Sequence, residues 1–87
     1  MVKVTLLTAT WCPTCPPVKR FWEKLADEQD IEYTEVDIES PEGALLREEH
    51  QIQTVPSTLI NNRLYFSGMP ERQRASDIIR TLNGSAQ

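Results

Sequence analysis

Between Val2 and Ile38 the spacing of apolar residues switches from strand-like to helix-like and back, and this double switch restricts the fold more than any other feature of the chain. Val2, Val4, Leu6 and Thr8 alternate with Lys3, Thr5 and Leu7, and the later half is apolar on both faces, as in an inner strand. Val18, Phe21, Trp22 and Leu25, extended to Gln29, then fall at the spacing of an amphipathic helix. Strong alternation returns from Ile31 to Ile38. A strand, helix and strand in this order imply a parallel pair joined by a right-handed crossover.

The rest of the chain extends that unit. Ser40-Pro41-Glu42 reads as a helix start with Ser40 as cap and Pro41 in the first position; the helix runs to about His50, with Gly43 weakening its pattern. Thr54 to Ile60 and Arg63 to Phe66 are strand-like, and Asn61-Asn62 between them is a tight-hairpin signal, since Asn tolerates positive φ. Ser67-Gly68-Met69 forms a loop. A last helix is expected from about Pro70, with Ala75, Ile78, Ile79 and Leu82 on one face and a frayed tail from Asn83 to Gln87. The order β-α-β-α-β-β-α predicts an α/β fold: a four-stranded mixed sheet with three helices. At 87 residues this is expected to be a single domain, 1–87, with a thin core.

The net charge of −4 and the dispersed basic residues argue against a nucleic-acid partner, which normally calls for a basic stripe. No apolar stretch reaches membrane-spanning length, and the apolar run at the N-terminus is too short for a signal-peptide core. A cytoplasmic location is therefore the expectation.

Both cysteines lie in Trp11-Cys12-Pro13-Thr14-Cys15, at the junction of the first strand and helix. A bridge across so short a loop constrains the unfolded chain little, so stapling is a poor explanation and thiol-disulfide exchange a better one. Pro13, Pro16 and Pro17 fit a helix start, where missing N–H groups matter least. If that helix begins at Pro13, Pro17 falls at the margin of its first turn and some local distortion is expected. A free thiol of pKa ~8.5 is only about 3% ionised at pH ~7, whereas a helix N-terminus favours the thiolate. This marks Cys12 as nucleophile, helped by the N–H groups of Thr14 and Cys15, and Cys15 as the resolving thiol one turn deeper. A closed zinc site wants four ligands, and the chain adds only His50 to the two thiols, unless carboxylates are recruited. A four-thiolate metal or iron-sulfur site shared by two copies stays open as the alternative from another class.

With this motif, the element order and Thr54-Val55-Pro56 in place, the chain resembles the thioredoxin and glutaredoxin superfamily over essentially its whole length. Trp11 before the first cysteine, and Phe66-Ser67-Gly68-Met69-Pro70, are similar to thioredoxin-like redoxins. Thr54-Val55-Pro56, the short length and the lack of an extra N-terminal strand and helix look like glutaredoxin. Typical thioredoxins carry a buried carboxylate in the strand before the motif, and Val2 to Thr8 has none. Where glutaredoxins place a basic residue and a Gly-Gly pair to hold glutathione, this chain has Thr10 and Gly68-Met69.

The resemblance implies a thioredoxin fold and a dithiol-disulfide oxidoreductase with Cys12 and Cys15 as catalytic residues. It implies substrate contacts at Trp11, Pro13, Thr14, Thr54, Val55, Pro56 and Gly68, with a cis bond before Pro56 and the Val55 backbone pairing with the substrate chain. Apart from the resemblance, Thr14, lying between the cysteines, is expected to adjust the redox poise, and Asp37, near the end of the neighbouring strand, or else water, is the candidate acceptor of the Cys15 proton. The expected partners are protein disulfide substrates and an electron donor, either a reductase or a low-molecular-weight thiol. No cofactor or metal is expected, and the chain is expected to act as a monomer. A glutathione-dependent glutaredoxin remains the second reading within the superfamily. Phe21 and Trp22 are assigned to the core, His50 to a helix end, and Arg72, Arg74 and Arg80 to a solvated face.

Overall fold

The computed structural model describes residues 2–84. Seven elements follow in the expected order: β1 (Val2–Thr8), α1 (Cys15–Glu28), β2 (Ile31–Asp37), α2 (Pro41–Glu49), β3 (Ser57–Ile60), β4 (Arg63–Ser67) and α3 (Arg72–Gly84). The sheet order is β2-β1-β3-β4. β1 lies parallel to β2, with Val2 opposite Ile31 and Thr8 opposite Asp37, and antiparallel to β3, with Val4 opposite Ile60. The two inner strands are those with almost no polar face: six of seven β1 residues and all four of β3 are buried.

Alternation along β1 sends its side chains to two layers. Val2, Val4 and Leu6 pack with Val18, Trp22 and Leu25 of α1 and with Ala75 and Ile79 of α3. On the opposite face Leu7 meets Val36, Leu59 and Ile52, with Ile38 and Leu46 at the margin. Trp22 is wholly buried at the centre of the first layer, where its Nε1 donates to Thr58 Oγ1 at 3.1 Å. Phe21 is only partly buried and meets the Trp22 ring edge-on, with centroids 5.1 Å apart.

Several boundaries shift for local reasons. α1 begins at Cys15 rather than Pro13, so Pro16 and Pro17 occupy its first turn, where N–H groups have no intrahelical partner. The expected distortion at Pro17 therefore has no cause. Gln29 is not on the apolar face of α1; it caps the helix, and its Nε2 reaches Ser76 Oγ in α3 at 2.8 Å. β3 starts three residues later than the pattern suggests, because Pro56 has no N–H for a ladder and the Ser57 hydroxyl turns back to the Thr54 carbonyl at 2.6 Å. Helix α3 starts at Arg72 and carries Asn83 and Gly84, placed in the tail by the sequence; residues 85–87 lie outside the described residues.

Other local readings hold. Asn61 and Asn62 both take positive φ, 50° and 66°, as a tight hairpin demands. The Ser40 side chain accepts from the Gly43 N–H at 3.0 Å and caps α2, while His50 sits at its C-terminal end. Arg72, Arg74 and Arg80 are exposed but not simply solvated. Arg72 and Arg80 pair with Glu28 and Asp77, and Arg74 lies 5.7 Å from the centre of the Phe66 ring.

Candidate active site

β1 ends at Thr8, and the chain then turns through Ala9 to Thr14 into α1, placing the dithiol at the carboxyl end of an inner strand. In open α/β sheets this edge is where ligands bind. The Cys12 N–H donates to the Ala9 carbonyl at 3.2 Å, closing the turn that presents the first cysteine. The Cys12 and Cys15 sulfurs are bonded to each other, with Cα atoms 5.5 Å apart. Cys15 is 1% exposed and Cys12 6%, so the first cysteine is the one nearer solvent.

Thr14 occupies the N-cap position of α1 but makes no side-chain cap bond. A cap side chain normally accepts from the second or third helical N–H, and those positions are Pro16 and Pro17, which have none. The Thr14 hydroxyl instead lies 3.5 Å from Cys12 Sγ. Because a disulfide sulfur carries no hydrogen, the hydroxyl is the donor in this contact.

The second half of the site arrives from 54–56, about forty residues away in the chain. The Val55–Pro56 peptide is cis. Val55 packs against the cluster of Ala9, Cys12 and Cys15, as does Ile38. Gly68, with φ of 86°, donates its N–H to the Pro56 carbonyl at 2.7 Å and ties the end of β4 to this element. Trp11, Thr54 and Val55 share the wall of a 340 Å³ cavity beside the disulfide, and Trp11 is 65% exposed. The anticipated site residues thus gather at one edge, with Pro13 exposed in the turn between the cysteines.

The same cavity is lined by Ile38, Arg47, Ile52 and Gln53, which sequence reasoning did not assign to the site. Their apolar or charged character alone carries no signal, because they come from the end of β2, from α2 and from the loop after it. Asp37, considered as proton acceptor for Cys15, uses Oδ1 to accept the Glu39 N–H at 2.8 Å, and its carbonyl accepts from Ser40; it shapes the turn into α2. Among the described residues no three His, Cys, Asp or Glu side chains converge as metal ligands.

A buried disulfide at a strand-helix junction, set against a cis-proline element on a mixed four-stranded sheet, defines a dithiol-disulfide oxidoreductase of thioredoxin fold. The family model for the thioredoxin domain matches residues 2–80, and the chain belongs to that family. It is 35% identical to a thioredoxin of Methanocaldococcus jannaschii over 83 residues, covering 91% of this chain and 93% of that one. It is 28% identical over 87 residues to a probable thioredoxin of Archaeoglobus fulgidus, covering all of this chain and 96% of the relative. The fold also matches a solved mutant thioredoxin from Halobacterium salinarum NRC-1, with a TM-score of 0.75 at 20% identity, over 92% of this chain and 73% of that one. Membership brings with it protein disulfides as substrates and a reductase as partner in general terms. No helix among the described residues is long and apolar enough to cross a membrane.

Proposed function

We propose that the protein is a single-domain cytoplasmic electron carrier that acts as a monomer and mainly reduces protein disulfides, with Cys12 as nucleophile and Cys15 as resolving thiol. The observation that carries this reading is the unequal burial of the bonded pair at the start of α1, with Cys12 beside Thr14 and Val55 packed against the cluster that holds both cysteines.

In the reduced protein the Cys12 thiolate attacks one sulfur of a substrate disulfide; a mixed disulfide forms and the other substrate sulfur leaves as a thiolate. Cys15 then loses its proton and attacks Cys12 Sγ, closing the Cys12–Cys15 bond and releasing the second substrate thiol. Two electrons pass from the dithiol to the substrate. The N-terminal end of α1 and the Thr14 hydroxyl favour the thiolate at Cys12. The Val55 backbone holds the substrate chain in line, with Trp11, Pro13, Thr54, Pro56 and Gly68 around it. The two intervening residues set how readily the bridge reopens.

Reduction of insulin disulfides tests this reading. Cys12→Ser abolishes turnover, and Cys15→Ser accumulates a mixed disulfide visible by mass spectrometry. Full dithiol-dependent activity in Cys12→Ser would rule the assignment out. For the donor, the oxidised protein is offered either glutathione or a thioredoxin reductase with its nucleotide. We expect the reductase to serve and glutathione to be poor, because Thr10 and Gly68-Met69 stand where glutathione-binding residues would be. Rapid stoichiometric reduction by glutathione would reverse that assignment.

A further inference from the structure

The 340 Å³ cavity beside the dithiol has the liquid volume of about eleven waters, room for one or two side chains and not for a folded element. Its walls differ in chemistry. The exposed Trp11 indole stands on one side, and Ile52, buried, and Ile38, half-buried, supply apolar surface. Val55, the residue against the cysteines, connects the cavity to the path of the substrate chain.

Arg47 is the one formally charged residue in that lining, in a chain whose net charge is −4. It is exposed on α2, and none of the ion pairs of the described residues uses its guanidinium. Glu48 lines an adjoining cavity that shares Arg47, Ile38, Ile52 and Gln53, and among the described residues no carboxylate lines the cavity of Trp11 itself. A guanidinium matches a carboxylate in two parallel hydrogen bonds, and an apolar wall beside it reduces competition from water.

We propose that this cavity selects substrate proteins carrying an acidic side chain within two residues of the cysteine attacked by Cys12, with the carboxylate on Arg47 and an adjoining apolar side chain on Ile38 and Ile52. The proposal rests on Cys12 as nucleophile and names the substrate class for that site. Arg47 acts here as a specificity residue and takes no part in sulfur exchange.

The test uses the reduced full chain and three symmetrical cystine peptides that differ only in Glu, Gln or Lys two residues from the cysteine, prepared on each side in turn. Second-order rates are followed by tryptophan fluorescence. For one of the two placements, the Glu peptide should react about fourfold faster than the Gln peptide at low salt, with the Lys peptide slowest, as an exposed ion pair allows. The preference should shrink as salt rises from about 0.02 M to about 0.5 M. Arg47→Gln should remove it and Arg47→Glu should turn it toward Lys. Equal rates for all three peptides in both placements would overturn the proposal while leaving the oxidoreductase reading intact. So would an Arg47→Gln change that spares peptide rates but raises KM for the reductase, which would assign the cavity to the electron donor. If no peptide is reduced at all, the functional reading falls as well.

Discussion

The Thr14 hydroxyl lies 3.5 Å from Cys12 Sγ because the two prolines after Cys15 leave it no backbone N–H to cap. The contact strengthens when Cys12 becomes a thiolate, since hydrogen bonds to ionised acceptors are roughly twice as strong as neutral ones. Thr14→Val should therefore weaken the hold on the Cys12 thiolate and slow alkylation of the reduced protein at pH ~7 by a few-fold, whereas Thr14→Ser should leave the rate unchanged. The rate of reaction with iodoacetamide reads this directly. An unchanged rate in Thr14→Val would remove the hydroxyl from the site.

The bond from Trp22 Nε1 to Thr58 Oγ1 joins α1 to β3 in the interior, with both residues wholly buried. Thr58→Val keeps the volume but orphans the indole N–H, at a cost of about 1–3 kcal/mol. Denaturant unfolding should show the loss, and insulin reduction by the remaining folded protein should be unaffected.

Gly43 reads as a weak point in the sequence of α2, yet the structure gives it a purpose. A Cβ there would overlap the Asp37 carbonyl and crowd Ile38, so only glycine lets the first turn of α2 close onto the end of β2. Gly43→Ala should destabilise the fold by about 1–3 kcal/mol despite alanine's better helix propensity. A neutral or positive stability change in thermal unfolding would refute the close approach.

Tyr33 donates its hydroxyl to Glu35 at 2.9 Å, and Glu35 also meets Lys19 at 3.6 Å. Burial first, then the hydrogen bond and charge of Glu35 and the charge of Glu23, push the phenol pKa above its usual range. The unfolded chain releases this proton near pH ~10 while the folded protein keeps it, so stability is full below that pH and falls as pH rises through and beyond it. Chemical unfolding at pH ~9 and ~11 should show a drop in the wild type that is smaller in Tyr33→Phe.

Much of this is legible from local pattern. The spacing around Val18, Trp22 and Leu25, the Ser40-Pro41 start and the Asn61-Asn62 turn each depend on chain geometry within a few residues, and each forms as read. The start of α1 lies two residues beyond the expected one because Pro13, Pro16 and Pro17 all satisfy the same local rule, and only the position of the first helical residue separates them.

By itself, then, the sequence determined that two thiols sit at the end of an inner strand and the head of a helix, since periodicity and proline chemistry act along the chain. Tertiary structure alone decided that Val55 packs against the cluster of Ala9, Cys12 and Cys15, that Gly43 closes on Asp37, and that Arg47 lines the cavity of Trp11. Those relationships depend on how two layers of side chains fill the space on either side of β1, a summed packing result that no short window of residues contains.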